Sequence, residues 1–103
     1  MYKLIVFIPV EAKESVKSAM FKAGAGSIGP YDSCCFELEG TGQFRPLPGS
    51  NPAKGKHNKL EFVKEVRVEL VVEDSIIKEV VAAMKKAHPY ESVAYDVIRL
   101  EDF

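Results

Sequence analysis

Hydrophobic and polar positions follow one another in blocks along the chain, and the period changes from block to block. Residues 2–8 form a Val/Ile/Phe-rich run stopped by Pro9, which predicts a buried strand. Residues 11–23 switch to helical spacing. Val16, Ala19, Met20 and Ala23 fall at i, i+3, i+4 and i+7, with Lys13, Glu14, Lys17 and Lys22 off that stripe. Residues 31–39 alternate, with Cys34, Phe36 and Leu38 against Ser33, Cys35, Glu37 and Glu39. Residues 62–73 give the clearest strand, Val66, Val68, Leu70 and Val72 alternating with Glu65, Arg67 and Glu69. A second helix is predicted over 75–87, capped by Asp74 or Ser75, with Ile77, Val80, Val81 and Met84 inward and Pro89 closing it. Residues 92–100 form the last strand, Val93, Tyr95 and Val97 against Ala94, Asp96 and Ile98.

That order, β-α-β-β-α-β, predicts an α+β fold: a ferredoxin-like sandwich with a four-stranded antiparallel sheet and two helices on one face. The uncovered face takes Lys3, Ile5 and Phe7 from the first strand and Arg67, Glu69 and Val71 from the third. Ile5, Phe7 and Val71 make it apolar enough to favour self-association through the sheet. Between the second and third strands, residues 41–60 lack periodicity and predict a long loop, a length that is often functional.

At 103 residues the chain suits a single domain spanning 1–103. No apolar run reaches the roughly 20 residues that cross a bilayer. The apolar start lacks a small-residue cleavage site, so no signal peptide is expected and a cytoplasmic location is. A net charge of −1 excludes the strong basic excess of a dedicated nucleic-acid binder. The distribution changes that picture. Four of the 14 basic residues, Arg45, Lys54, Lys56 and Lys59, lie in the 41–60 loop, which contains no acid. A basic, glycine-containing loop suits a phosphate, another small anionic ligand or an acidic protein surface. A merely solvated loop is the plainer alternative.

Candidate chemistry is sparse. Gly24-Ala25-Gly26-Ser27-Ile28-Gly29 spells the dinucleotide fingerprint, yet it follows a helix and leads into a strand. A C-cap at Gly24 and a tight turn needing positive φ at Gly26 and Gly29 fit it better. The stretch from Gly49 to His57 misses a P-loop by one residue of spacing and by His57 in place of Ser or Thr. His88-Pro89-Tyr90-Glu91 puts an imidazole, a phenol and a carboxylate at the junction of the second helix and last strand. These three suit ligand binding or acid–base work, but His88 also suits the negative end of a helix and Pro89 its stop. Cys34 and Cys35 are adjacent, which suits two small buried hydrophobes better than a disulfide. No recurring His or Cys spacing marks a metal site, so no metal ligand, catalytic residue or cofactor is assigned.

Three stretches carry a resemblance: residues 23–34, then Gly40-Thr41-Gly42-Gln43-Phe44-Arg45-Pro46, and finally residues 87–96 with His88-Pro89-Tyr90-Glu91 at their centre. Together they resemble the small domain inserted in YqfO-type proteins, the dinuclear-metal proteins labelled GTP cyclohydrolase-like, and the resemblance covers nearly the whole chain. That insert is similar in fold to CutA and to the PII signalling proteins. The resemblance implies a free-standing CutA/PII-like domain without the metal-binding domains, assembled as a trimer. It places the 41–60 loop where PII proteins carry their regulatory loop. Neither the flanking domains' metal ligands nor PII nucleotide-binding residues map onto this sequence.

The expectation is therefore a non-catalytic, oligomeric binding or regulatory module. Its ligand or partner site should draw on Gly24, Gly26, Gly29, Arg45, Lys54, Lys56, His88, Tyr90 and Glu91, brought together between subunits. Two alternatives stand beside it. One is an accessory subunit of a YqfO-type hydrolase; the other is a CutA-like divalent-metal binder using His57, His88, Cys34 and Cys35.

Overall fold

A computed structural model describes residues 1–103. Four strands, β1 (Tyr2–Pro9), β2 (Phe36–Phe44), β3 (Glu61–Val72) and β4 (Tyr95–Arg99), form one antiparallel sheet in the order β2-β3-β1-β4. Helices α1 (Lys13–Lys22) and α2 (Ile77–Ala87) cover one face, each entered through a short 3-10 turn. This is the expected sandwich. No helix is long and apolar enough to cross a membrane.

The core follows from the two periods. Leu4, Val6 and Ile8 of β1 and Val66, Val68, Leu70 and Val72 of β3 alternate onto the helix face. They meet Val16 and Met20 of α1 and Val80 and Met84 of α2, and all are buried. Ala19 and Ala23 of the predicted stripe are only half-buried, at its margin. Gly24, with φ of +108°, ends α1 in the left-handed conformation expected of it.

Three local expectations shift. The second strand starts at Phe36 instead of 31, because Ser33 adopts φ of +56° and the Cys34 amide donates to the Gly26 carbonyl at 2.9 Å. The strand then continues through Gly40 and Gly42 to Phe44, shortening the loop to residues 45–60. Neither Asp74 nor Ser75 caps α2 with a side-chain hydrogen bond. Asp74 instead pairs with the Met1 amino group and with Arg99, at 3.2 Å. The last strand is shorter than expected, although the Phe7 amide still reaches the Ala94 carbonyl at 3.2 Å.

Register assigns the uncovered face as predicted. Lys3, Ile5 and Phe7 lie beside Val71, Glu69 and Arg67 and share their face. Charged side chains roof part of it, with Lys3–Glu69 at 3.7 Å, Arg67–Glu69 at 2.9 Å and the Arg67 guanidinium 5.9 Å from the Phe7 ring centre. Ile5 is buried beneath them. Phe36 and Leu38 are left 64% and 52% exposed on the same face.

Candidate functional site

The β2–β3 hairpin runs well past the helices, and residues 45–60 close its end. Prolines and glycines do not leave this loop formless. The Asn58 amide donates to the Pro46 carbonyl at 2.6 Å, the Ser50 amide and hydroxyl both donate to the Leu47 carbonyl, and His57 Nε2 bonds the Ser50 carbonyl at 2.8 Å. Two longer ties fold the loop back over the sheet. The Asn51 amide donates to the Glu91 carboxylate at 2.5 Å, and Lys54 pairs with Glu11.

The corner before β4 is held just as firmly. The Tyr90 amide donates to His88 Nδ1 at 3.1 Å, so Nε2 carries the proton and donates to the Phe7 carbonyl at 2.8 Å. His88 is thus a neutral clamp between β1 and the corner. Burial lowers its pKa, partly opposed by the Phe7 hydrogen bond. The Tyr90 ring packs 5.1 Å from the His88 ring and 5.9 Å from Phe44.

Loop, corner and open sheet face enclose a cleft of about 300 Å³, lined among others by Phe7, Phe44, Pro46, Lys54, Glu65 and Tyr90. Two polar groups in it stand out. The Tyr90 hydroxyl is shielded from solvent and has no hydrogen-bond partner. Burial pushes its pKa up to about 12, helped by the negative charges of Glu65, Glu11 and Glu61. Glu65 makes no ion pair, and burial raises its carboxyl pKa against the pull of Lys54. Its side chain leans across β2, where a Cβ at Gly42 would collide with the carboxylate. The glycine there makes room for an acid.

The expected site residues therefore separate into groups. Lys54, Tyr90 and Glu91 meet in this cleft, and His88 supports it from behind. Arg45 and Lys56 are exposed on the loop without an ion pair. Gly24, Gly26 and Gly29 lie at the other end of the sheet, where the Gly26 amide donates to the Val71 carbonyl at 2.8 Å. All three have positive φ, as a cap and turn require. The meeting of loop and corner occurs within one chain. Phe7, Phe44 and Glu65 were absent from the sequence-derived set, since Phe7 and Glu65 read there as ordinary strand positions and Phe44 falls within the expected 41–60 loop.

No three His, Cys, Asp or Glu side chains come together as a metal cage. His57 and His88 bond backbone groups in separate places, and Cys34 and Cys35 are free thiols in the connection from α1 to β2. Nor is there a nucleophile with a base beside it. The Ser50 hydroxyl of the cleft donates to a backbone carbonyl.

No family model matches the chain. It is 48% identical over 100 residues to a Halalkalibacterium halodurans protein named GTP cyclohydrolase 1 type 2 homolog, covering 97% of this chain and 27% of that one. The protein of the same name from Bacillus subtilis is 50% identical over 99 residues, covering 96% and 26%. The chain spans about a quarter of the length of these relatives. A solved Bacillus cereus protein related to NIF3 superposes with a TM-score of 0.84 at 46% identity, over 98% of this chain and 26% of that one. CutA1 from Pyrococcus horikoshii superposes with a TM-score of 0.71 at 21% identity, over 100% of this chain and 86% of that one. The periplasmic divalent cation tolerance protein CutA from Archaeoglobus fulgidus gives 0.69 at 16% identity, over 100% and 87%. These two show a shared fold.

Proposed function

Because the chain is homologous along its length to one segment of the GTP cyclohydrolase 1 type 2 homologues, the YqfO/NIF3 group, and has a CutA-like fold, we propose that it is a binding and regulatory module without catalysis of its own. The observation that carries this is the cleft between loop and corner. Its walls join apolar surface from Phe7, Phe44 and Pro46 to a few polar and charged groups, its volume lies at the low end of the ~300–1,000 Å³ range of small-molecule sites, and it holds an unpartnered hydroxyl with no nucleophile–base pair. The loop's outer side presents Arg45 and Lys56 to an acidic protein surface, so the same loop touches a ligand inside and a partner outside. The module works in the cytoplasm as an oligomer, a trimer joined through the open sheet face, where Phe36 and Leu38 are exposed.

Thermal unfolding of the full chain in the presence of nucleotides, divalent metal salts, organic cations and organic anions tests the ligand side, because a ligand preferring the native state raises the midpoint. A rise with at least one class, lost on filling the cleft by Ala53→Trp, is expected. No rise with any class, together with partner capture unaffected by changing Arg45 and Lys56 to Ala, would sink the proposal.

The identity to part of a longer relative favours a second reading, in which the chain serves as accessory subunit to a YqfO-type hydrolase. Co-purification with a hydrolase of that type lacking this segment tests it, and complete separation at physiological salt refutes it.

A further inference from the structure

The cleft's own chemistry narrows what enters it, and the inference rests on the binding role proposed above. Four carboxylates stand in or beside it: Glu65 and Glu91 line it, and Glu11 and Glu61 are close enough for their charges to reach Tyr90. One cation, Lys54, faces them, and Glu11 already neutralises it. An anionic ligand would therefore bring a further negative charge against Glu65 with no free cation to receive it. A purely apolar ligand fares no better, since it would seal the Glu65 carboxylate away from water with nothing to bond and would leave the already shielded Tyr90 hydroxyl without a partner. Phe7 and Phe44 supply aromatic walls at the same site. Arg67 stacked 5.9 Å over Phe7 shows that one of these rings already accepts a cation on its face.

We propose that the cleft binds the protonated amine of a small organic cation, with the ammonium on the Glu65 carboxylate and the Tyr90 hydroxyl and the apolar body against Phe7 and Phe44. An ammonium donates only, which matches an acceptor-only carboxylate and a phenol oxygen with free lone pairs. Gly42 belongs to the same device. By leaving open the space beneath Glu65 it lets the carboxylate lie over β2, at the edge of the cleft, instead of standing away from the sheet.

Three probes of one shape and different charge test this: 2-phenylethylamine, 2-phenylethanol and phenylacetate, each titrated into the isotope-labelled full chain while amide shifts at Phe7, Phe44 and Tyr90 are followed. Saturable shifts with the amine alone are expected. Glu65→Gln should weaken binding about tenfold or more and Tyr90→Phe by a smaller factor, since charge-assisted bonds outweigh neutral ones. Both variants' amide spectra must match the parent away from the cleft, and the pair keeps the test alive if one fails to fold. Saturation by phenylacetate or 2-phenylethanol as strong as by the amine would overturn the inference while leaving a ligand-binding cleft. Absence of cleft shifts with all three would overturn both the inference and the cleft as a ligand site. Unchanged amine affinity in Glu65→Gln would place the ammonium elsewhere and overturn it too.

Discussion

At His88 the two ring nitrogens have different duties, Nδ1 accepting from the Tyr90 amide and Nε2 donating to the Phe7 carbonyl. Only the neutral imidazole can do both. The native state therefore resists protonation, in line with a pKa held below the ordinary 6.5 by burial. The unfolded chain takes up this proton first as pH falls through about 6.5, so stability declines from there until the native histidine is protonated as well. Urea unfolding of the parent at pH 7.5 and pH 5.5 should show the loss, and a His88→Leu variant should show a flatter difference. The same variant leaves the Phe7 carbonyl and the Tyr90 amide unpaired, with an expected cost of about 1–3 kcal/mol at pH 7.5. A stability equal to the parent's would show that the clamp contributes nothing. The His-Pro-Tyr-Glu cluster at residues 88–91 was legible in the sequence as a distinctive junction of helix and strand, where a helix stop was as ready a reading as a ligand site. Glu65 was not. On paper it is one polar position among several on β3, and what sets it apart is the Gly42 gap on the neighbouring strand and a loop folded above it.

At the scale of elements, the connection between α1 and β2 shows where periodicity informs and where it misleads. The glycine-rich turn was correctly legible as a cap and turn, since its place after a helix excluded a phosphate-binding role. Its glycines are not equivalent. At Gly26, φ is +79° and an added Cβ would sit 2.6 Å from the Cys34 carbonyl oxygen, whereas at Gly29 it would meet nothing within 4 Å. Gly26→Ala should therefore cost clearly more than the roughly 1 kcal/mol of a left-handed alanine, and Gly29→Ala close to that value. Comparing the two urea midpoints checks the ranking, and equal losses would contradict it. The strand that follows was harder to place. Alternation identified its two faces, but the left-handed residue at Ser33 delays its start. Its apolar members, Phe36 and Leu38, face outward, while Glu37 sits on the helix side, 3.2 Å from Lys13 and 3.3 Å from Lys17. Apolarity normally marks the covered face, and here a pair of lysine tethers reverses the rule. On α2 the pattern and the packing agree, and Met84→Ala should cost about 2–5 kcal/mol by opening a cavity at the centre of the core.

Over the whole molecule, element order and sheet topology were legible because each segment's period, cap and breaker pointed to the same arrangement. The fate of the open face was only partly so. Lys3, Arg67 and Glu69 roof Ile5, yet Phe36, Leu38 and Ile98 stay exposed near the sheet's two edges. If this face joins copies of the chain, light scattering should give three times the 11.4 kDa chain mass, holding on dilution through the micromolar range. Changing Phe36 and Leu38 together to Glu should return a folded monomer, with the far-ultraviolet dichroism retained. A parent already monomeric would refute the assembly. Both substitutions lie outside the cleft, so amine binding by the monomeric variant would separate the ligand site from the interface.

The pairing of β1 with β4 has one more consequence. Tyr2 lies beside Arg99, and the Leu100 amide donates to the Met1 carbonyl at 3.0 Å. The polypeptide thus enters and leaves this fold through adjacent strands, about 5 Å apart. A unit whose two connections emerge side by side can interrupt a surface loop of another protein with almost no displacement of the flanking backbone. In the relatives from Halalkalibacterium halodurans and Bacillus subtilis the homologous segment makes up about a quarter of a longer chain. The hairpin and its cleft project from the opposite end, so a host joined at residues 1 and 100 would carry the cleft as a tool held at arm's length.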